Sequence, residues 1–109
     1  MAQTYKVLAQ STPPATTVTD VYTVPALTAA VVSSIIVCNR AASPRTFRIS
    51  LAVNAAADTI AQYIAYDMVV PANDSIFVQI GVTLGANDVI RVYVSATDIS
   101  VNVFGVENA

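Results

Sequence analysis

The chain has no histidine and no tryptophan, a single cysteine, three glycines, and only five basic and seven acidic residues among 109. Without histidine, Ser-His-Asp and Cys-His catalysis are excluded and the commonest zinc ligand is missing. Cys38 alone closes neither an intrachain disulfide nor a structural zinc site; following Ile35-Ile36-Val37, it is expected to be an inert core thiol. Gly81, Gly85 and Gly105 cannot compose Gly-x-Gly-x-x-Gly, which leaves nucleotide binding without support. The scattered basic residues and a net charge of −2 form no stripe for phosphates, so no nucleic-acid partner is expected. The longest weakly polar run, Ala26 to Cys38, contains Thr28, Ser33 and Ser34 and falls short of a membrane span. The opening Met-Ala-Gln-Thr-Tyr-Lys has no basic segment leading into an apolar one, which predicts neither signal nor transit peptide and folding in a cytoplasm.

What is present is apolar. Residues of that class make up 55% of the chain and charged ones 11%, against roughly 45–50% and about 25% in ordinary soluble domains. A domain of this size cannot bury such an excess inside itself, so apolar patches are expected on the monomer, to be covered by oligomerisation or permanent docking.

Valine, isoleucine, threonine and tyrosine recur in short runs separated by turn residues, the pattern of an all-β antiparallel sandwich, jelly-roll-like, with about eight strands. The expected strands are Gln3–Ala9, Thr17–Val24, Ala30–Cys38, Arg45–Val53, Ile60–Tyr66, Ile76–Val82, Val89–Ser95 and Ile99–Val106. They form one domain over residues 1–109. Pro13-Pro14 fixes φ twice and removes two donors, predicting an extended stretch without regular structure at 10–16, an arm that can lie across a neighbour. In the fourth strand Phe47, Ile49, Leu51 and Val53 share one face and are expected to be core, while the third strand is apolar on both faces. A helix competes over Asn54 to Met68, where Ile60, Tyr63 and Ile64 have helical spacing, but a loop over 54–59 followed by a strand is preferred. Ala-Asn-Asp occurs twice before an apolar strand, at 72–74 and 86–88, which reads as two turns with one job.

Nearly all the acids fall in or beside turns, and Asp74 and Asp88 lack the Asp-x-Asp-x-Asp-Gly spacing of a calcium loop. The eight aromatic residues all lie in expected strands, as core or sheet-surface groups rather than ligand-stacking ones. No catalytic residue, metal or cofactor is expected, and the chain reads as a non-enzyme.

Thr23-Val24-Pro25, Val31 to Arg40, Thr46-Phe47-Arg48-Ile49, Tyr66-Asp67, Val70 to Ser75, Gly81 to Leu84, Asp88 to Tyr93 and Val101 to Gly105 resemble a family of small tailed-phage, cyanophage-like virion structural proteins. The resemblance covers nearly the whole chain and implies a capsid cement or decoration protein: a β-sandwich that oligomerises on the head, by analogy as a trimer, and clamps the major capsid protein. A tail, baseplate or fibre module and a glycan-binding host-recognition module are the alternatives. Counting strand reversals puts Arg40 and Arg45 at one end of the sandwich beside Pro71, Asn73 and Asp74, whereas the other end is expected to carry Asp58 and Asp88 and no cation. Arginine suits bidentate carboxylate contacts, so those five residues are the candidate partner-binding set.

Overall fold

The computed structural model of the chain describes residues 2–109. Eight strands follow in order: β1 Gln3–Ser11, β2 Thr19–Thr23, β3 Ala29–Asn39, β4 Arg45–Ala52, β5 Tyr63–Val70, β6 Ser75–Leu84, β7 Val89–Val94 and β8 Ile99–Asn108. They build two four-stranded antiparallel sheets, sheet A with order β1-β8-β3-β6 and sheet B with order β2-β7-β4-β5. Successive strands mostly cross between the sheets, the double Greek-key winding of a jelly roll.

Inward alternation supplies the core. Val92 and Val94 of β7, Phe47 and Ile49 of β4, Ile35 and Val37 of β3, and Ile99, Val101 and Val103 of β8 are all fully buried, each such side chain contributing about 1.5–3 kcal/mol. Gly105 lies where β8 approaches β3 so closely that a Cβ would stand 2.1 Å from the Val31 carbonyl oxygen.

β3 reads as apolar on both faces because its alternation changes phase. Ala30 and Val32 point inward, and so do Ile35, Val37 and Asn39; between them the ladders to β6 and β8 shift at Ser33-Ser34, a bulge that flips the register. After the flip Cys38 faces outward and is half-buried, so the expectation of a core thiol is corrected.

Three further expectations change. Gln10 and Ser11 belong to β1, and the segment after them stays on its own domain: Pro13 is buried, and the Thr16 amide donates to the Val94 carbonyl at 2.8 Å. β4 ends at Ala52, so Leu51 is only partly buried and Val53 is 73% exposed at the start of a 3-10 turn. Helical spacing around Ile60 yields one 3-10 turn, Ile60–Gln62, closed by a Thr59/Gln62 capping box, and β5 starts only at Tyr63.

The twin Ala-Asn-Asp segments do perform one job at opposite ends. Asn73 and Asn87 take left-handed φ of 55° and 68°, which Asn tolerates well. Asn73 N–H donates to the Ala41 carbonyl and Asp74 C=O accepts from Asn39 N–H; at the other end Asn87 N–H donates to the Val24 carbonyl and Asp88 C=O accepts from Val24 N–H. Each turn thereby staples a loop of the neighbouring strand pair.

Candidate functional site

All five residues singled out from the sequence gather at one end, as the strand count requires. The β3–β4, β5–β6 and β7–β8 connections meet there: Arg40 N–H donates to the Asp98 carbonyl at 2.9 Å, and Asn73 N–H to Ala41 at 2.9 Å. The arginine forks, however, are occupied within the chain. Arg45 donates through Nε and Nη2 to the two Asp98 oxygens at 3.0 and 3.2 Å. Arg40 donates to Ser100 Oγ at 3.0 Å and to the Thr97 carbonyl at 3.1 Å. Hydrogen bonding from Arg45 holds the Asp98 carboxyl below its ordinary range, and Asp98 in turn raises Arg45. Arg40 stays exposed, as do Pro71, Asn73 and Asp74. Asp74 Oδ1 accepts the Ser75 amide at 2.7 Å, which commits that oxygen to its own turn.

Two residues central to this end were not singled out. Asp98 sits in a short Ala-Thr-Asp turn, and nothing local marks it as the partner of Arg45. Asn39, which sequence assigns only to a turn, is 1% exposed and organises the whole end. The two hydrogens of its Nδ2 serve three carbonyls, those of Ser43, Val70 and Pro71 at 2.8, 3.1 and 3.2 Å, so that one hydrogen is shared, and its Oδ1 accepts the Ala41 amide at 2.9 Å. An Asn ending a β-branched run before a loop is the available sequence signal. A shallow groove of about 300 Å³ opens beside this end, lined by Gln10, Ser11, Thr12, Ser100, Val101 and Asn102.

The opposite end is not free of cations. Arg91 of β7 reaches it, donating to the Ala56 carbonyl at 2.7 Å while pairing with Asp20 at 2.9 Å. Asp88 is spent on its turn, accepting the amides of Asn54 and Gly85, each at 2.8 Å. Asp74 and Asp88 thus stand at opposite ends as turn caps. Among the described residues no three His, Cys, Asp or Glu side chains group as metal ligands would.

The outer faces of the two sheets differ in kind. On sheet B, Arg48 pairs with Asp67 at 2.7 Å and its guanidinium lies 4.2 Å from the Tyr66 ring centroid and 4.3 Å from that of Tyr93. Tyr63 packs edge-on against Tyr66 and donates to Asp58. On sheet A the outward register runs Tyr5-Val106-Val31-Thr83, then Val7-Phe104-Ser34-Gln79, then Asn102-Ile36-Phe77. Among the described residues it carries no charge. Tyr5 is 77% and Phe77 65% exposed. Lys6 and Glu107 turn the other way, pairing at 2.7 Å with Glu107 also accepting from Tyr22 Oη of β2.

No family model matches the chain, and no curated protein matches it.

Proposed function

We propose that the chain is a virion structural protein, a capsid cement or decoration subunit that binds copies of itself and the major capsid protein, and that it acts through surface burial rather than catalysis. The observation that carries this reading is the uncharged outer face of sheet A on a jelly-roll frame, a fold common in viral capsid domains. An uncharged sheet surface in which apolar side chains outnumber small polar ones, on so small a domain, suits a contact repeated over a lattice. The resemblance to small tailed-phage structural proteins points the same way, and Arg40 with the loops around Asn73 and Asp74 supplies a polar rim for the capsid contact.

The test is the copy number in purified particles. Hundreds of copies, with heads lacking the protein rupturing at lower temperature, support the decoration role; copies in threes or sixes place the subunit in the tail, baseplate or fibre, and absence from particles overturns the reading. A second reading, a glycan-binding module, rests on the Tyr63-Tyr66-Tyr93 cluster with Arg48, since an exposed ring flanked by two half-buried ones beside ionised groups suits sugars. Titration with host-surface glycans checks it: retained binding in Tyr66→Ala removes it.

A further inference from the structure

Each sheet has two edge strands, and three of the four edges are blunted. β1 carries Lys6 and a register shift after Val7; β2 is only five residues long and carries Asp20; β5 carries Asp67, in a left-handed conformation, within the first of two shifts of register. Charges, short length and bulges are the usual devices by which an edge resists pairing. β6 has neither a charge nor a short length, and its one register shift lies in its ladder to β3, between Val82 and Gln79. It runs ten residues, Ser-Ile-Phe-Val-Gln-Ile-Gly-Val-Thr-Leu, with no charge and no proline. Its alternation continues unbroken past the bulge of β3: Phe77, Gln79, Gly81 and Thr83 are exposed, while Ile76, Val78, Ile80 and Val82 pack on the core yet stay only half-buried.

Two residues of β6 lack a reason within the chain. Phe77 is 65% exposed on the outer face. Gly81 has no positive φ, and a Cβ built there would meet nothing within 4 Å, so neither conformation nor packing calls for glycine.

We propose that β6 pairs antiparallel with β6 of a second copy of this chain, about a two-fold axis through Gln79, joining two copies of sheet A into one continuous sheet. This register places Phe77 opposite Gly81 of the second copy, where the ring covers bare backbone. On the core side it sets Ile76 against the second copy's Val82 and Val78 against its Ile80, completing their burial. A slip by one residue would turn these aliphatic side chains to solvent. The nine positions from Ser75 to Thr83 form about eight to ten backbone hydrogen bonds, as many as a whole standard interface carries. With no charge on the strand, its own copy brings no like-charge repulsion. The two-fold closes at two copies, so a trimer would need a different surface. The pairing does not rest on the virion reading and holds whether or not the chain is found in particles.

The experiment is sedimentation equilibrium of the full chain at micromolar concentration, together with cysteine crosslinking in a Cys38→Ser background. The expected result is a dimer that Gln79→Lys dissociates, weakening association by at least about tenfold through like charges meeting on the axis, with the melting curve of the diluted monomer unchanged. Gln79→Cys is expected to oxidise to a covalent dimer, since Cα atoms directly opposite in an antiparallel pair stand about 4.5–5.5 Å apart, within disulfide reach. Thr83→Cys, placed far from its own copy, is expected to stay reduced. Should Gln79→Lys fail to fold, the crosslink alone decides. A monomer throughout, or an oligomer of any size in which Gln79→Cys does not crosslink, overturns the proposal.

Discussion

The outer face of sheet A and the outer face of sheet B belong to sheets of equal strand number and share one core, yet the charge of the molecule is divided unequally between them. Sheet B holds Arg48 with Asp67 and Arg91 with Asp20, each pair closed within the chain. Sheet A shows valine, isoleucine, phenylalanine, tyrosine and small polar side chains. An apolar excess therefore need not mean a larger core. A two-layer sandwich has room for one inward set per strand, and what remains is placed on one face, while the other keeps its ions satisfied.

A core ring and a surface ring should respond differently to truncation. Phe47→Ala is expected to cost about 3–5 kcal/mol, because Phe47 is fully buried and truncation leaves a cavity between the sheets. Phe77→Ala is expected to leave monomer stability within about 0.5 kcal/mol while weakening self-association. Urea denaturation of both variants checks this, and similar losses would show that the outer face of sheet A is already covered within one chain.

Asn39→Ala comes next, with an expected loss of about 2–4 kcal/mol, since three carbonyls and one amide lose their partner at a buried site. Thermal melts should show it, and amide exchange should rise at Ala41 and Ser75, whose neighbouring loops Asn39 holds.

Arg48→Ala tests the charged face alone. Removing a partly exposed ion pair and two ring contacts is expected to lower the melting midpoint slightly, and high salt should produce part of that loss in the parent protein.

Acid gives the smallest effect. Hydrogen bonding by Lys6 and then Tyr22 lowers Glu107 from its ordinary 4.5, and Arg45 lowers Asp98 from its ordinary 3.8. Groups depressed on folding stabilise above their unfolded pKa, and that stability is lost as pH falls through the folded value. Stability is therefore expected to be level above about pH 5 and to decline progressively below it, followed by urea midpoints across the acid range. Glu107→Gln should flatten part of the decline, and an unchanged acid limb in that variant would show that the pair contributes nothing.

Much of this architecture was legible in the sequence. β-branched runs and Pro, Asn and Asp turns located eight strands, because extended propensity and turn chemistry act over a few residues. Antiparallel reversal then sorted the loops to the correct ends, and Arg40, Arg45, Pro71, Asn73 and Asp74 do share one of them. Three things depended on tertiary structure. The Ser33-Ser34 bulge changed the phase of β3, which put Cys38 outside; a phase change is set by pairing with β6 and β8, not by the strand itself. The partners of the candidate residues, Asp98 for Arg45 and Asn39 for the loop carbonyls, lie 53 residues away in one case and up to 32 in the other, a distance that only sheet closure spans. Finally, which apolar residues remain outside was decided by packing: alternation places Ile49 and Leu51 alike, but the end of β4 leaves Leu51 half-covered, and being at an edge leaves Phe77 bare.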